Sequence, residues 1–328
     1  MKKKFLIVLM AFCFSVLCAQ EDASVVESGV SYLSSISLQL SPIVNPKSDD
    51  GNGGNHFAPI TGIGLPIPYA QFVAKYSIPL NFGSNPIFSG SNIAFIAGPT
   101  LTPLTLDTQI GVVFTPSPII NFCLGTTFGT GWSLADNHGI GLYVPSRNEY
   151  NACIPFVVWK YDVILQTNIQ FDFGIFFEND WSHIILTANE QIVYEGNTAA
   201  KDEEPWEWMG SKDYVNGFLH TGNVMLGYMF PVSIFKMIGI AFAWQGHISG
   251  KDYGVWESSY NGGFINYSLA LQTLLEISNK SQLVLSTSLN SRRAFLEPVQ
   301  STDSCITKTA SGREWCFSGL TIQWVYNF

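Results

Sequence analysis

The sequence predicts an all-β fold: a single antiparallel transmembrane β-barrel of 12–14 strands, best read as 14, with long outer loops and short periplasmic turns. Apolar and polar residues alternate at period two in many short segments separated by turn residues, as in a sheet with one greasy and one wet face. Aromatics make up 14% of the 328 residues and charged residues only 12%, well below the roughly 25% charge of soluble chains. After the first twenty residues no uninterrupted apolar stretch is long enough for a transmembrane helix. A chain that spans lipid without one must close its sheet, so that every backbone group is paired.

The elements follow in chain order. Lys2, Lys3 and Lys4 precede an apolar run from Phe5 to Leu17, followed by Cys18, Ala19 and Gln20. This is the layout of a secretory signal peptide, so residues 1–20 are assigned to that signal and 21–328 to the barrel. Cys18 raises a lipoprotein alternative, but Leu17 is a poor residue immediately before a lipidated cysteine.

Strands are predicted at 31–42, 69–82, 91–101, 106–115, 119–130, 150–160, 162–173, 181–188, 191–196, 214–230, 236–249, 262–277, 281–291 and 315–328. The clearest spans 162–173. There Val163, Leu165, Thr167, Ile169, Phe171 and Phe173 make one face, and Asp162, Ile164, Gln166, Asn168, Gln170 and Asp172 the other. Asp162, Gln166, Asn168, Gln170 and Asp172 are therefore the lumen-facing candidates. The eighth and ninth segments are short for a membrane strand; read as one distorted hairpin above the membrane, they would leave twelve. Connections after odd strands are mostly long and those after even strands are short, a parity that bacterial barrels show and that puts both termini on the periplasmic side. The short connection 102–105 is the exception.

The last nine residues complete the pattern. Leu320, Ile322, Trp324, Tyr326 and Phe328 share one face, opposite Thr321, Gln323, Val325 and Asn327. A chain that ends on an aromatic stripe needs lipid to receive it. This tail resembles the C-terminal assembly signal of bacterial outer-membrane β-barrel proteins, with Trp324, Tyr326 and Phe328 as its aromatic positions. The resemblance is at class level and covers about the last strand. It implies a bacterial outer-membrane location, outer-membrane lipid and the outer-membrane assembly machinery as partners, and a porin-like character.

Net charge is −9, and the leader removes only lysines, so the mature chain is more acidic still. That balance offers no footprint for nucleic acid. Four cysteines remain after residue 20: Cys123, Cys153, Cys305 and Cys316. An exported chain meets an oxidising compartment. Cys305–Cys316 is the favoured disulfide, Cys123–Cys153 the second, and buried thiols the third reading.

Chemistry is sparse. Ser133 lacks the flanking glycines of a nucleophile elbow. His56, His138, His183, His220 and His247 form no catalytic spacing with serine, and no pair of them has zinc-like spacing. The sequence therefore implies no enzyme, no metal and no cofactor. Asp49-Asp-Gly-Asn-Gly-Gly54 resembles part of a calcium loop but lacks the later glutamate. The stretch Asp202-Glu-Glu-Pro-Trp-Glu-Trp208 reads as a cation or ligand contact, or, preferably, as a solvated loop whose indoles anchor at the membrane interface. The apolar segment 57–68, rich in Pro and Gly, reads equally as an inward plug or as a loop packed on the rim.

A barrel of 12–14 strands is expected to have a bore wider than side chains alone fill. The expected function is a porin-like channel for small hydrophilic solutes, the acidic inner positions favouring cations. The alternatives are a transporter of hydrophobic substrates, of the fatty-acid type, and a surface-exposed adhesin or structural barrel.

Overall fold

The computed structural model describes residues 28–44, 56–58, 60–64, 66–83, 86–88, 90–134, 137–177, 179–297 and 304–328. The expected signal segment 1–20 and the calcium-loop-like stretch 49–54 lie outside these residues. Twelve strands build the wall: β1 (Gly29–Leu40), β2 (Ile67–Pro79), β3 (Asn92–Leu101), β4 (Thr105–Ser117), β5 (Ile120–Gly131), β6 (Lys160–Asp172), β7 (Ile184–Asn197), β8 (Gly217–Met229), β9 (Phe235–His247), β10 (Asn266–Ser278), β11 (Ser281–Phe295) and β12 (Ala310–Asn327). Each pairs antiparallel with the next. β12 returns to β1, from Leu33 opposite Asn327 to Leu40 opposite Leu320. The sheet is thus a closed barrel, and no strand of its wall is left with an unpaired edge.

The strand count is twelve rather than the favoured fourteen, for two reasons. Segment 150–160 is not a wall strand: Glu149–Ala152 joins a small sheet in the mouth, and Phe156 takes a left-handed φ of 63°. The segments 181–188 and 191–196 are one continuous strand, β7. Its Asn189-Glu190 pair reads as a turn in sequence, but Asn189 Nδ2 donates inward to Asn168 Oδ1 at 2.6 Å. The two errors cancel in parity everywhere except at 174–180. That connection was expected among the outer loops, but it lies at the turn end of the barrel, within 173–183.

The outer wall is apolar. Ile36, Phe72, Phe95, Ile110, Leu124, Leu165, Ile192, Phe218, Leu226, Ile240, Phe242 and Leu271 all project from it, exposed. No water-soluble surface tolerates a belt of that extent, and hydrocarbon does. Aromatic contacts gather at both ends of the belt. Tyr194 stands 4.9 Å from Phe218 at the loop end. At the turn end Tyr228 and Phe230 are 4.8 Å apart, and Tyr326 and Phe328 4.9 Å. Trp324 and Phe328 face outward and are exposed. The molecule is a transmembrane β-barrel. Near closure, Gly319 forms a bulge at φ 129°, where a Cβ would lie 2.1 Å from the carbonyl oxygen of Leu40. Only glycine lets β12 pass β1 there.

Other expectations are corrected here. Cys305 and Cys316 form no disulfide: Cys305 packs in a tyrosine-rich cluster above the barrel and Cys316 against Ala58. Cys123 and Cys153 likewise form no disulfide and pack in different clusters. Cys123 belongs to an inward cluster with Val73, Ala94, Ile96 and Val113, and Cys153 packs against the cluster of Trp206 and Trp208. Segment 57–68 is not a plug. Ile60–Ile63 pairs with Pro42–Val44 as a rim hairpin, with Phe57, Ile60 and Ile63 exposed.

Candidate functional site

Inward positions are polar and largely buried. Gln39, Gln71, Gln109, Asp162, Gln166, Asn168, Gln191, Thr221, Gln245, Ser268, Asn290 and Ser318 all point into the bore and are buried there. Side chains and an infolded loop therefore fill much of the space that strand count alone would leave open. Of the five lumen candidates, Asp162, Gln166 and Asn168 lie in this packed layer. Gln166 Nε2 donates to Asn168 Oδ1 at 2.7 Å, Asn168 Nδ2 to Asn121 Oδ1 at 2.6 Å, and Gln191 Nε2 to Gln166 Oε1 at 2.9 Å. Gln170 is half-buried near the turn end. Asp172 leaves the bore: it accepts from the Gly174 amide at 2.7 Å and holds His183 Nδ1 at 2.6 Å.

Charge concentrates one level above the amides. Lys160 Nζ sits 2.6 Å from Asp162 Oδ1 and 3.3 Å from Glu195 Oε1. Asp107 faces the same space. Asp162 and Glu195 thus share one ammonium, Asp107 stands as a third carboxylate in the same space, and this level of the bore is acidic. It is the roof of this level that the sequence reading misplaces. Trp206–Trp208 and Ser211–Tyr214 form a hairpin that joins Ile140–Val144 and Glu149–Ala152 in a four-stranded sheet. Trp206 and Trp208 are buried in the mouth, not anchored at the membrane surface, and the Trp208 ring lies 5.9 Å above Lys160 Nζ. Glu207 between them meets His138 Nδ1 at 3.3 Å. Burial raises the Glu207 carboxyl above its usual range, and His138 opposes that shift.

This hairpin arm, Trp206–Tyr214, fits because Gly129 has no side chain. A Cβ there would lie 2.1 Å from Asp107 Oδ1 and 2.7 Å from the Trp208 ring. Gly129→Ala is therefore expected to push Trp208 out of the bore, at about 1–3 kcal/mol of overpacking. A red-shifted tryptophan emission with greater acrylamide quenching would register it. Unchanged emission would count against the contact.

Above the arm, four outer loops meet on one carboxylate. Asp213 is 3% exposed, at φ 66°. Tyr150 donates to its Oδ1 at 2.9 Å and Ser304 at 2.6 Å. The Cys305 amide donates to Oδ2 at 3.1 Å, and Tyr260 at 3.4 Å. Tyr150 belongs to loop 132–159, Asp213 to 198–216, Tyr260 to 248–265, and Ser304 and Cys305 to 296–309. Tyr143, Val215, Tyr253, Phe295 and Ile306 pack around this knot. Burial, reinforced by the Asp213 carboxylate, pushes the Tyr150 and Tyr260 phenols well above 10.0. Burial pushes Tyr253 up to about 12.

These phenols bind their protons more tightly in the closed cap than in an opened one. Their contribution is complete below pH 10 and fades as pH climbs through the raised values. The cap is thus expected to loosen only in strong alkali, seen as a rise in acrylamide quenching of tryptophan emission that begins near pH 10. A rise that begins near neutrality would contradict the assignment.

Between the knot and the barrel lies a chamber of about 150 Å³, lined among others by Lys212, Arg292, Arg293, Tyr253 and Tyr260. Arg292 pairs with Glu314 at 2.9 Å and Arg293 stacks 4.0 Å over Tyr260. Below it lies a second cavity of about 100 Å³, walled by Gln71, Asp107, Gln109, Lys160, Asp162, Glu195 and Trp208. Leu219 and Gln245 line both. The two spaces follow one another down the inner wall.

No family model matches the chain, and no curated protein sequence is significantly similar. Solved structures with a similar overall course include the KdgM porin, at TM-score 0.38 and 6% identity over 90% of this chain and 99% of that one. The COG4313 outer membrane channel from Pseudomonas putida F1 matches at TM-score 0.44 and 10% identity, over 94% and 98%. The β domain of the Bordetella autotransporter BrkA matches at 0.45 and 8%, over 92% and 100%. At these scores and identities they bear on neither solute nor mechanism.

Proposed function

We propose that this chain is a porin-like channel of a bacterial outer membrane for small hydrophilic solutes, held shut in this conformation by its own outer loops. The observation that carries the reading is the pair of consecutive cavities, each lined by charged and amide side chains and both bordered by Leu219 and Gln245, inside a wall that is apolar outside. The fatty-acid-type reading loses its main support with segment 57–68 on the rim. Three carboxylates around Lys160 favour passage of cations over anions.

Planar-bilayer recording of the purified chain tests this. Brief cation-selective steps are expected, lengthened when the cap is loosened. Silence from both the native chain and a cap-loosened variant would overturn the channel. The tail is proposed as the assembly signal, with Trp324, Tyr326 and Phe328 read by the insertion machinery. Deleting Phe328 is expected to lower the folded, heat-modifiable fraction in membranes several-fold, and an unchanged fraction would remove that role.

A further inference from the structure

The lower cavity carries more unused hydrogen-bonding capacity than its fold requires. Four of its lining side chains, all more than nine-tenths buried, each have a polar atom with no partner in the protein. These are Gln71 Oε1 (8% exposed), Asp107 Oδ2 (8%), Gln109 Nε2 (7%) and Trp208 Nε1 (2%). Buried polar atoms are nearly always paired, and each orphan costs about 1–3 kcal/mol. Four orphans lining one space mark a place built to meet a ligand.

Their chemistry restricts that ligand. The amide groups of Gln71 and Gln109 can be turned over, so their assignment carries no weight. Trp208 Nε1 can only donate and a carboxylate oxygen of Asp107 accepts, whatever the amides do. A bare cation would satisfy Asp107 and leave the indole N–H orphaned. An anion would satisfy the indole and meet three carboxylates set against a single lysine. A hydroxyl both donates and accepts. The cavity holds about 100 Å³, several times what one water needs. It also offers the Trp208 ring as a flat apolar wall and Thr100, Thr127 and Thr221 as further polar lining.

We infer that this cavity is a binding subsite for one ring of an uncharged polyhydroxylated solute, a neutral sugar. Trp208 donates to a ring hydroxyl and Asp107 accepts from a neighbouring one. The subsite refines the solute class of the channel proposed above and rests on that reading for its place on a transport path.

Equilibrium dialysis of the full chain in detergent micelles, with labelled D-glucose and D-glucuronate, tests it without requiring conduction. Wild type and Asp213→Asn are compared, so that a tightly shut cap does not hide the site. Saturable glucose binding is expected, one per chain. Glucuronate should bind about tenfold more weakly, a difference of about 1.4 kcal/mol. Trp208→Phe keeps the ring and removes the N–H; Gln109→Met keeps the length and removes the amide. Each should weaken glucose binding about fivefold to tenfold, the worth of one buried hydrogen bond. Heat-modifiable mobility on gels verifies that both variants fold.

No saturable glucose binding by either wild type or Asp213→Asn would mean that the cavity holds water only, and would overturn the subsite. So would equal affinity for glucuronate, or affinity unchanged in both folded variants. Conductance steps without glucose binding would leave the channel and remove the subsite; binding without steps would do the reverse.

Discussion

Asp213→Ala is expected to open the mouth and raise mean single-channel conductance several-fold. Four loops converge on this carboxylate through Tyr150, Ser304, Cys305 and Tyr260. Alanine leaves all four donors facing a buried hole. Leaving a buried donor without its acceptor costs about 1–3 kcal/mol, and several lost together are comparable with the free energy that holds loops closed against thermal opening. Alanine also strains the left-handed backbone at φ 66°, a region in which aspartate and asparagine are tolerated. Asp213→Asn keeps that backbone and one acceptor oxygen, so it should loosen the cap less. The graded order native, Asn, Ala, recorded as open probability in bilayers, distinguishes loss of the knot from general misfolding. Identical traces for all three would show that the loops do not govern access.

Lys160→Met is expected to be the most damaging change in the bore. It leaves Asp162 and Glu195 buried side by side without the cation they share. It also takes away the charge beneath the Trp208 ring. Removing one member of a buried ion pair costs about 3–5 kcal/mol, and like charges at that spacing repel further. The folded band should be lost at a markedly lower temperature in a heat-modifiability series. Surviving channels should be more cation-selective than the native chain. Adding Asp162→Asn to Lys160→Met should restore much of the stability, because it removes one of the abandoned charges. Additive losses in the double variant would mean that the two residues are not coupled.

The wall was legible in the sequence wherever one face met lipid and the other met polar neighbours. The segment 162–173 shows why: Val163 and Leu165 are exposed to hydrocarbon while Asp162 and Gln166 are buried inside, so period-two alternation survives intact. The tail was legible for the same reason.

Two features hid the rest. In β7, Asn189-Glu190 mimics turn chemistry, and only its cross-strand partner Asn168 shows that the asparagine faces the bore. In 150–160, a run of apolar residues reads as a strand, but Ile154, Phe156 and Val157 lie exposed in a turn beyond the wall, and only Tyr150, Cys153 and Val158 pack against neighbouring loops. The arm was missed because Trp206 and Trp208 look like membrane-surface anchors. The Met209-Gly210 turn, with φ 52° and 73°, is the local signal that they fold back as a hairpin. The shared charge around Lys160 was half-visible: Asp162 stood out by alternation, whereas Glu195 and Asp107 come from strands far along the chain.

The positions of the four thiols bear on regulation. Cys123, Cys153, Cys305 and Cys316 are dispersed among separate packing clusters, and among the described residues no disulfide ties one loop to another. The lid is therefore held entirely by contacts that break and re-form on thermal timescales. Dithiothreitol is expected to leave the lid's opening frequency untouched, because the mouth of the barrel responds to forces on hydrogen bonds and packing rather than on thiols.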